Sequence, residues 1–226
     1  MNAGYSWPGG TENMLQMGAE APIQVILIPP LFDEANRLRK TLVDVMRGLA
    51  ALGFGVMLPD LPATGESITD FQPTTFDDWQ VALAALVAVR KERGQTVLLA
   101  AFRGGALIDH APEVTARWRL AEETGQRLLR DLSRMVLARS FRTKGDDPLD
   151  ESGYVFPPAF KAALENATPQ PASMLRSVRL THDPKEADAR IEGSPLWRRA
   201  EPGEDPLFTH AVIIDISEWA ATCVAS

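Results

Sequence analysis

The strongest constraint on the fold comes from three short apolar segments that alternate with two helical patterns. The segments IQVILI, GVMLPDLP and TVLLAA span 23–28, 55–62 and 96–101. Between them, residues 36–52 and 74–94 carry apolar side chains at helical spacing, and each pattern stops at a glycine. Segments that are apolar throughout are typical of parallel strands buried on both faces. The alternation predicts an α/β sheet covered by helices on both faces, with ligands at the carboxyl ends of its strands.

The second half of the chain is predicted to continue this sheet less regularly. Three strand candidates, RWRLA, SVRLTH and DARIEG, lie at 117–121, 177–182 and 188–193. An amphipathic helix is predicted over 124–138, and a last helix over roughly 205–223. The pattern of strands and helices therefore extends almost to the end of the chain.

The whole chain, 1–226, is predicted to form a single domain. A chain of 226 residues with 45% hydrophobic content is large enough to bury one core of ordinary size. Residues 1–13, rich in Gly, Pro, Asn and Ser, are predicted to form a loose arm. Residues 122–170 are predicted to form a helical lid insertion within the domain, since a polar segment there separates two helical ones.

Composition excludes several classes of function. The chain has 30 acidic and 23 basic residues and a net charge of -7. The sequence contains no basic patch of the kind that binds nucleic acid, so we expect no nucleic-acid partner. The single cysteine, Cys223, forms no disulfide framework and no thiolate cluster, so no metal or other cofactor is predicted. The N-terminus lacks the pattern of a signal peptide, and the longest apolar runs are too short to span a bilayer. We therefore expect a cytoplasmic protein without membrane insertion.

The segment TVLLAAFRGGALIDH, residues 96–110, is predicted to be a buried strand, a tight turn and the start of a third helix. In many enzymes such a turn has the form G-x-S-x-G and presents a nucleophilic serine at a helix N-terminus. Here Ala101, Gly104 and Gly105 keep the small residues of the turn, and Arg103 occupies its centre. A guanidinium stays protonated and cannot attack a carbonyl.

These stretches together resemble the α/β-hydrolase superfamily. The resemblance rests on PPLFDEANRLRK after the first predicted strand, on LGFGVMLPDLPATGES around the second, and on the turn at Arg103. Within the superfamily, the chain is most similar to the hydrolase-like proteins associated with bacterial exosortase gene systems. They share an E-x-N-[RK] stretch, an arginine at the elbow, a W-x-x-A-x-x-x-G segment and an EGSPLW-like stretch.

The resemblance covers most of the chain from about residue 22 and carries an expectation for the fold. It implies a mostly parallel sheet flanked by helices, reduced at its N-terminal side, with a small helical lid after the fourth predicted strand. It also implies a link to the export of exopolysaccharide.

The resemblance further indicates where a Ser–His–Asp triad would lie. The acid position matches THDPKE, with His182 and Asp183, and the base position falls on GSPLWRR, where Trp197 cannot accept a proton. With Arg103 at the nucleophile position, no triad can be assembled in the expected order. No catalytic residue is assigned, and Glu34, His182 and Asp183 remain as candidates.

Two hypotheses for Arg103 stay open, and they are compatible. In one, Arg103 pairs with Glu34 or Asp60 and fixes the loops around it. In the other, Arg103 stands at a helix N-terminus and binds a small anionic ligand, such as a carboxylate, a phosphate or an acidic sugar. The predicted ligand-binding residues are Arg103, Gly104, Phe32, Glu34 and Asn36.

The sequence therefore favours a binding or accessory protein that has lost the serine triad. One alternative is an active hydrolase of esters, thioesters or acylated sugars that uses other residues. Another is a scaffold subunit in which the helix at 124–138 docks a partner or a second copy of the chain.

Overall fold

The computed structural model describes residues 2–140 and 154–225, and within them eight strands form one sheet. The strand order is β1-β2-β4-β3-β5-β6-β7-β8. The strands β1 and β2 run antiparallel to their neighbours, and the other six run parallel. Their bounds are Asn2–Trp7, Gly10–Met17, Ile23–Ile28, Gly55–Pro59, Thr96–Phe102, Ala116–Leu120, Leu175–Leu180 and Ala189–Ile191.

Helices cover both faces of this sheet, as the alternation of strands and helices predicts. The helices α1 (Asp33–Ala51) and α5 (Pro206–Ala225) pack on one face. The opposite face is covered by α2 (Phe76–Glu92), α3 (Gly125–Ser140) and α4 (Pro158–Asn166). The sheet is therefore the middle of three layers.

The strand β3 shows why its sequence is apolar throughout. Val25 and Leu27 belong to the core beneath α1 and α5, whereas Ile26 and Ile28 belong to the core beneath α2. All four side chains are fully buried. The predicted buried parallel strand at 23–28 is confirmed.

The N-terminal segment differs from its prediction. Residues 1–13 were expected to form a loose arm, but most of them belong to a β1–β2 hairpin, and β2 pairs with β4. The expected reduction of the sheet at its N-terminal side is therefore wrong. The hairpin buries few side chains, among them Tyr5 and Met14, so its sequence lacks the apolar run that marks β3. Gly9 lies in the tight turn between the two strands, where the Trp7 indole occupies the space that a Cβ would need.

The third helix predicted from Gly104 to Ala111 is also shorter than expected. Only a 3₁₀ turn, Arg103–Leu107, follows β5. Two adjacent glycines are poor helix formers, and Pro112 stops any continuation. His110 therefore lies beyond the turn, where it is exposed.

The predicted lid at 122–170 lies between β6 and β7 and contains α3 and α4. Residues 141–153 of this segment lie outside the described residues. Within the described part, α3 and α4 contact each other, and Leu128, Phe160 and Leu164 join the core beneath α2.

The helix α5 is long and apolar enough to cross a membrane, judged by length and composition alone, with a mean hydropathy of 1.3 over Pro206–Val224. In the structure, its apolar side chains Phe208, Val212 and Ile216 are fully buried in the core shared with α1. Packing against the sheet therefore accounts for part of its apolar composition, whereas Leu207, Ile214 and Val224 remain exposed.

Asp205 joins the start of α5 to the loop that follows β8. Its carboxylate accepts hydrogen bonds from the backbone N–H of Phe208 at 3.0 Å and of Ser194 at 2.8 Å. The bond from Phe208 is the largest of the effects that lower the pKa of Asp205 below its usual value. We expect Asp205→Ala to lower the free energy of unfolding at neutral pH by about 1 kcal/mol, because the helix loses its capping acceptor.

The pH dependence of this change follows from the direction of the pKa shift. A carboxyl whose pKa is lowered by folding stabilises the protein above its unfolded pKa, about 4, and loses this contribution as the pH falls through the folded pKa. Urea unfolding at neutral pH and at acidic pH should show the difference between wild type and Asp205→Ala shrinking on acidification. A difference that grows in acid would contradict this role of the ionised carboxylate.

Candidate functional site

The tight turn after β5 places Arg103 in an unusual backbone conformation, with φ of 55°. Residues with a side chain adopt this left-handed region only at a cost in energy. The small neighbours are required by close packing. A Cβ on Gly105 would lie 2.6 Å from the Pro29 carbonyl oxygen, and a Cβ on Gly104 would overlap the Leu128 side chain. The turn therefore has the strained, crowded geometry of a nucleophile elbow.

The side chain of Arg103 is buried among oxygen acceptors. Its Nε and Nη2 donate to the two carboxylate oxygens of Glu34, each at 3.2 Å. Its Nη1 donates to the Ala121 carbonyl at 2.9 Å and to Glu123 Oε1 at 3.3 Å. Only 3% of Arg103 is exposed. Of the two carboxylates that the sequence offers as partners, Glu34 makes the pair, and Asp60 lies 3.4 Å from Arg39 instead.

Burial and charge act against each other in the pair of Arg103 and Glu34. Burial disfavours the charge of Arg103, but Glu34 and Glu123 outweigh burial and raise its pKa. Burial is also the largest effect on Glu34, where it raises the pKa of the carboxyl although Arg103 acts to lower it. The forked contact of guanidinium with carboxylate favours the ionised form of both groups at neutral pH.

Trp197 and Arg37 close the elbow from the other side. The guanidinium carbon of Arg103 lies 5.0 Å from the centre of the Trp197 ring, which is a cation–π contact. Arg37 Nη1 on α1 donates to the Trp197 carbonyl at 2.9 Å. Trp197 is 4% exposed. The segment GSPLWRR, at the base position of a triad, therefore covers the elbow.

Glu123 connects this cluster to the loop after β7. Its carboxylate lies 3.3 Å from Lys185 Nζ and 3.5 Å from Arg127 Nε. Its Oε1 also lies 3.3 Å from Arg103 Nη1. Its negative charge is therefore shared among three cations.

His182 and Asp183, the candidates at the acid position, stand apart from the elbow. Asp183 accepts a hydrogen bond from Arg179 Nη1 at 3.0 Å, and His182 is exposed. Backbone and side-chain donors, Lys185 N–H and Arg179, outweigh burial and lower the pKa of Asp183. Among the residues that the structure describes, no hydrogen bond or ion pair joins either residue to Arg103.

A cavity of about 470 Å³, here called the side cavity, lies next to the elbow at the carboxyl ends of β3 and β4. Its apolar walls include Leu31, Phe32, Leu61, Phe71, Trp79 and Tyr154. Its polar rim includes Asn36, Arg39, Asp60 and Glu66. Arg103 does not line it.

The predicted ligand-binding residues therefore fall into two groups. Arg103, Glu34 and Gly104 are packed within the closed elbow, whereas Phe32 and Asn36 line the side cavity. Across residues 2–140 and 154–225, no group of three or more His, Cys, Asp or Glu side chains is arranged to hold a metal ion.

The structure is similar to solved structures of hydrolases over its full length. A serine hydrolase without lid from Xanthomonas campestris is 18% identical, with 100% of this chain and 93% of that chain covered and a TM-score of 0.55. The α/β hydrolase domain-containing protein 10 from mouse is 13% identical, with 98% and 99% covered and a TM-score of 0.64. A thermophilic esterase from Thermogutta terrifontis is 14% identical, with 99% of each chain covered and a TM-score of 0.57.

The chain has the α/β-hydrolase fold. Identities at this level show the fold and leave the activity open, because one fold supports many functions. No protein-family model matches the sequence, and no curated protein matches it either. In active enzymes with the α/β-hydrolase fold the nucleophile stands on the strained turn between strand and helix, which is where this chain carries Arg103.

Proposed function

We propose that this α/β-hydrolase-fold chain is a binding or accessory protein without serine-hydrolase activity. The observation that carries the proposal is the occupation of the elbow by Arg103, held by Glu34 and covered by Trp197. A serine hydrolase needs a hydroxyl within hydrogen-bond reach of a proton-accepting imidazole. A guanidinium beside a carboxylate and an indole performs neither role.

The contacts among the motif residues support the resemblance to the exosortase-associated hydrolase-like proteins. Glu34 and Arg37 come from the E-x-N-R stretch, and they hold the elbow Arg103 and the Trp197 of the GSPLW segment, respectively. Three stretches that are distant in sequence thus form one cluster. This coupling supports a place among the exosortase-associated hydrolase-like proteins, and with it a cytoplasmic role linked to the export of exopolysaccharide.

A broad fluorophosphonate probe tests this function, with intact mass and peptide mapping as the readout. We expect folded protein to gain no stoichiometric adduct, because no described serine lies in an elbow. A heat-denatured sample gives the background, and an active serine hydrolase in the same reaction shows that the probe reacts. A single adduct on one serine of the folded protein would overturn the proposal and indicate an active hydrolase of esters, thioesters or acylated sugars.

A further inference from the structure

An anion bound at Arg103 would have to displace Glu34, whose two oxygens already take Nε and Nη2. The side cavity offers a more accessible cation beside the closed elbow. We propose that it binds an organic carboxylate with an aromatic or similarly apolar body, with Arg39 and Asn36 as donors to the carboxylate. This inference rests on the proposed function, since it names the ligand class of a binding protein.

The walls of the side cavity suit an apolar body. Its volume of about 470 Å³ is within the range of small-molecule sites in proteins. The ring of Tyr154 meets that of Phe32 edge-on at 5.2 Å, and Phe32 lies 5.9 Å from Trp79. Tyr154 and Phe71 are only partly buried, so their rings keep surface for contact with a ligand.

The rim provides the donors. The Arg39 side chain is 42% exposed, and its only acceptor among the described residues is Asp60, at 3.4 Å from Nη1. Asn36, one turn earlier on α1, is exposed, and its side-chain amide makes no hydrogen bond within the described part of the chain. A guanidinium with free N–H groups matches the two oxygens of a carboxylate.

The same rim also carries two carboxylates, Asp60 and Glu66, whose charges affect whether an anion or a cation binds. Asp60 has only 7% of its side chain exposed, and its oxygens face Arg39 and the backbone N–H of Glu66 at 3.3 Å. The Glu66 side chain is exposed and repels an anion. Arg39 is therefore the accessible cation, and Glu66→Gln should strengthen the binding of a carboxylate.

Isothermal titration calorimetry with three probes tests the inference at neutral pH. The probes are 2-naphthoate, 2-naphthylmethanol and 2-naphthylmethylammonium, which share one ring system and differ in the charge of the head group. We expect 2-naphthoate to bind about tenfold more tightly than the alcohol, as for a hydrogen bond to a charged group. The cation should bind most weakly.

Variants locate the effect. Arg39→Gln should remove the advantage of 2-naphthoate over the alcohol, and Asn36→Ala should reduce it. The control is Arg47→Gln, an exposed arginine on α1 that pairs with Asp44 and does not line the side cavity, and it should keep the wild-type preference. Ala35→Leu, which adds volume at the wall, should weaken both 2-naphthoate and the alcohol.

The results separate this inference from the proposed function. No binding of any probe, tighter binding of the cation, or a preference for 2-naphthoate that survives in Arg39→Gln would overturn the inference. A fluorophosphonate adduct together with the expected preference would overturn the proposed function and leave the ligand class intact. Absence of both the adduct and the preference would overturn the inference about the ligand and leave the proposed function intact.

Discussion

Replacing Arg103 with methionine should lower the free energy of unfolding by about 3–5 kcal/mol. Methionine fills much of the same space, but it leaves Glu34 buried without the guanidinium that its two oxygens contact, whereas Glu123 keeps Lys185 and Arg127. A buried carboxylate without its partner is strongly destabilising, whereas loss of an exposed ion pair changes stability little. Urea unfolding at neutral pH, followed by circular dichroism, measures the loss.

A double-mutant cycle shows whether the loss comes from the ion pair. Arg103→Met combined with Glu34→Leu should be more stable than Arg103→Met alone, because the stranded carboxylate is gone. If Arg103→Met does not fold, the free energies of unfolding of the double variant and of Glu34→Leu alone can still be compared. Arg47→Met, at an arginine whose side chain is 65% exposed, is the matched control. Equal losses in Arg103→Met and Arg47→Met would contradict the prediction.

The second large effect is expected at Gly105. Gly105→Ala should lower the free energy of unfolding by about 1–3 kcal/mol, because the new methyl group overpacks the elbow. Its Cβ would lie 2.6 Å from the Pro29 carbonyl oxygen and 2.9 Å from the Ile28 carbonyl oxygen. These are backbone atoms at the end of a central strand, and they cannot move aside as a flexible side chain does.

Urea unfolding of Gly105→Ala beside Gly4→Ala tests this expectation. Gly4 lies on the edge strand β1, where the nearest atom to an added Cβ is 3.5 Å away. Its substitution should leave stability nearly unchanged. A loss at Gly105 no larger than that at Gly4 would show that the turn after β5 relaxes more easily than its contacts indicate.

The fold was largely predictable because its central strands carry a local signal. The strand β3 is apolar on both faces, and its predicted range of 23–28 is its observed range. The hairpin β1–β2 was not predictable from that signal, because it is half exposed and its pairing depends on β4, some forty residues away. The length of the helix after β5 was overestimated, and only a turn at 103–107 forms. A strand followed by small residues does not show how far a helix continues.

The site was less predictable because it depends on how loops fold over the end of the sheet. Glu34 and Asp60 both follow strands, and their sequence positions do not show which one reaches Arg103. The structure resolves the choice: Asp60 packs against Gly65, whose φ is +56°, and Glu34 stands in the first turn of α1. The side cavity draws its walls from several loops and from Tyr154, so no single stretch of sequence carries its pattern.

The closed elbow also bears on the mutational paths that are open to a chain of this kind. A serine at position 103 would leave Glu34 stranded before any histidine stood in place of Trp197, and a histidine at 197 would face a cation. Each first step would lower the free energy of unfolding by a few kcal/mol, out of the roughly 5–15 kcal/mol that keeps a domain folded, and would not yet restore hydrolysis. Once an arginine and its carboxylate fill the elbow, each single substitution toward a triad therefore destabilises the fold before it restores a nucleophile. The ion pair makes a return to a serine hydrolase by single substitutions unfavourable.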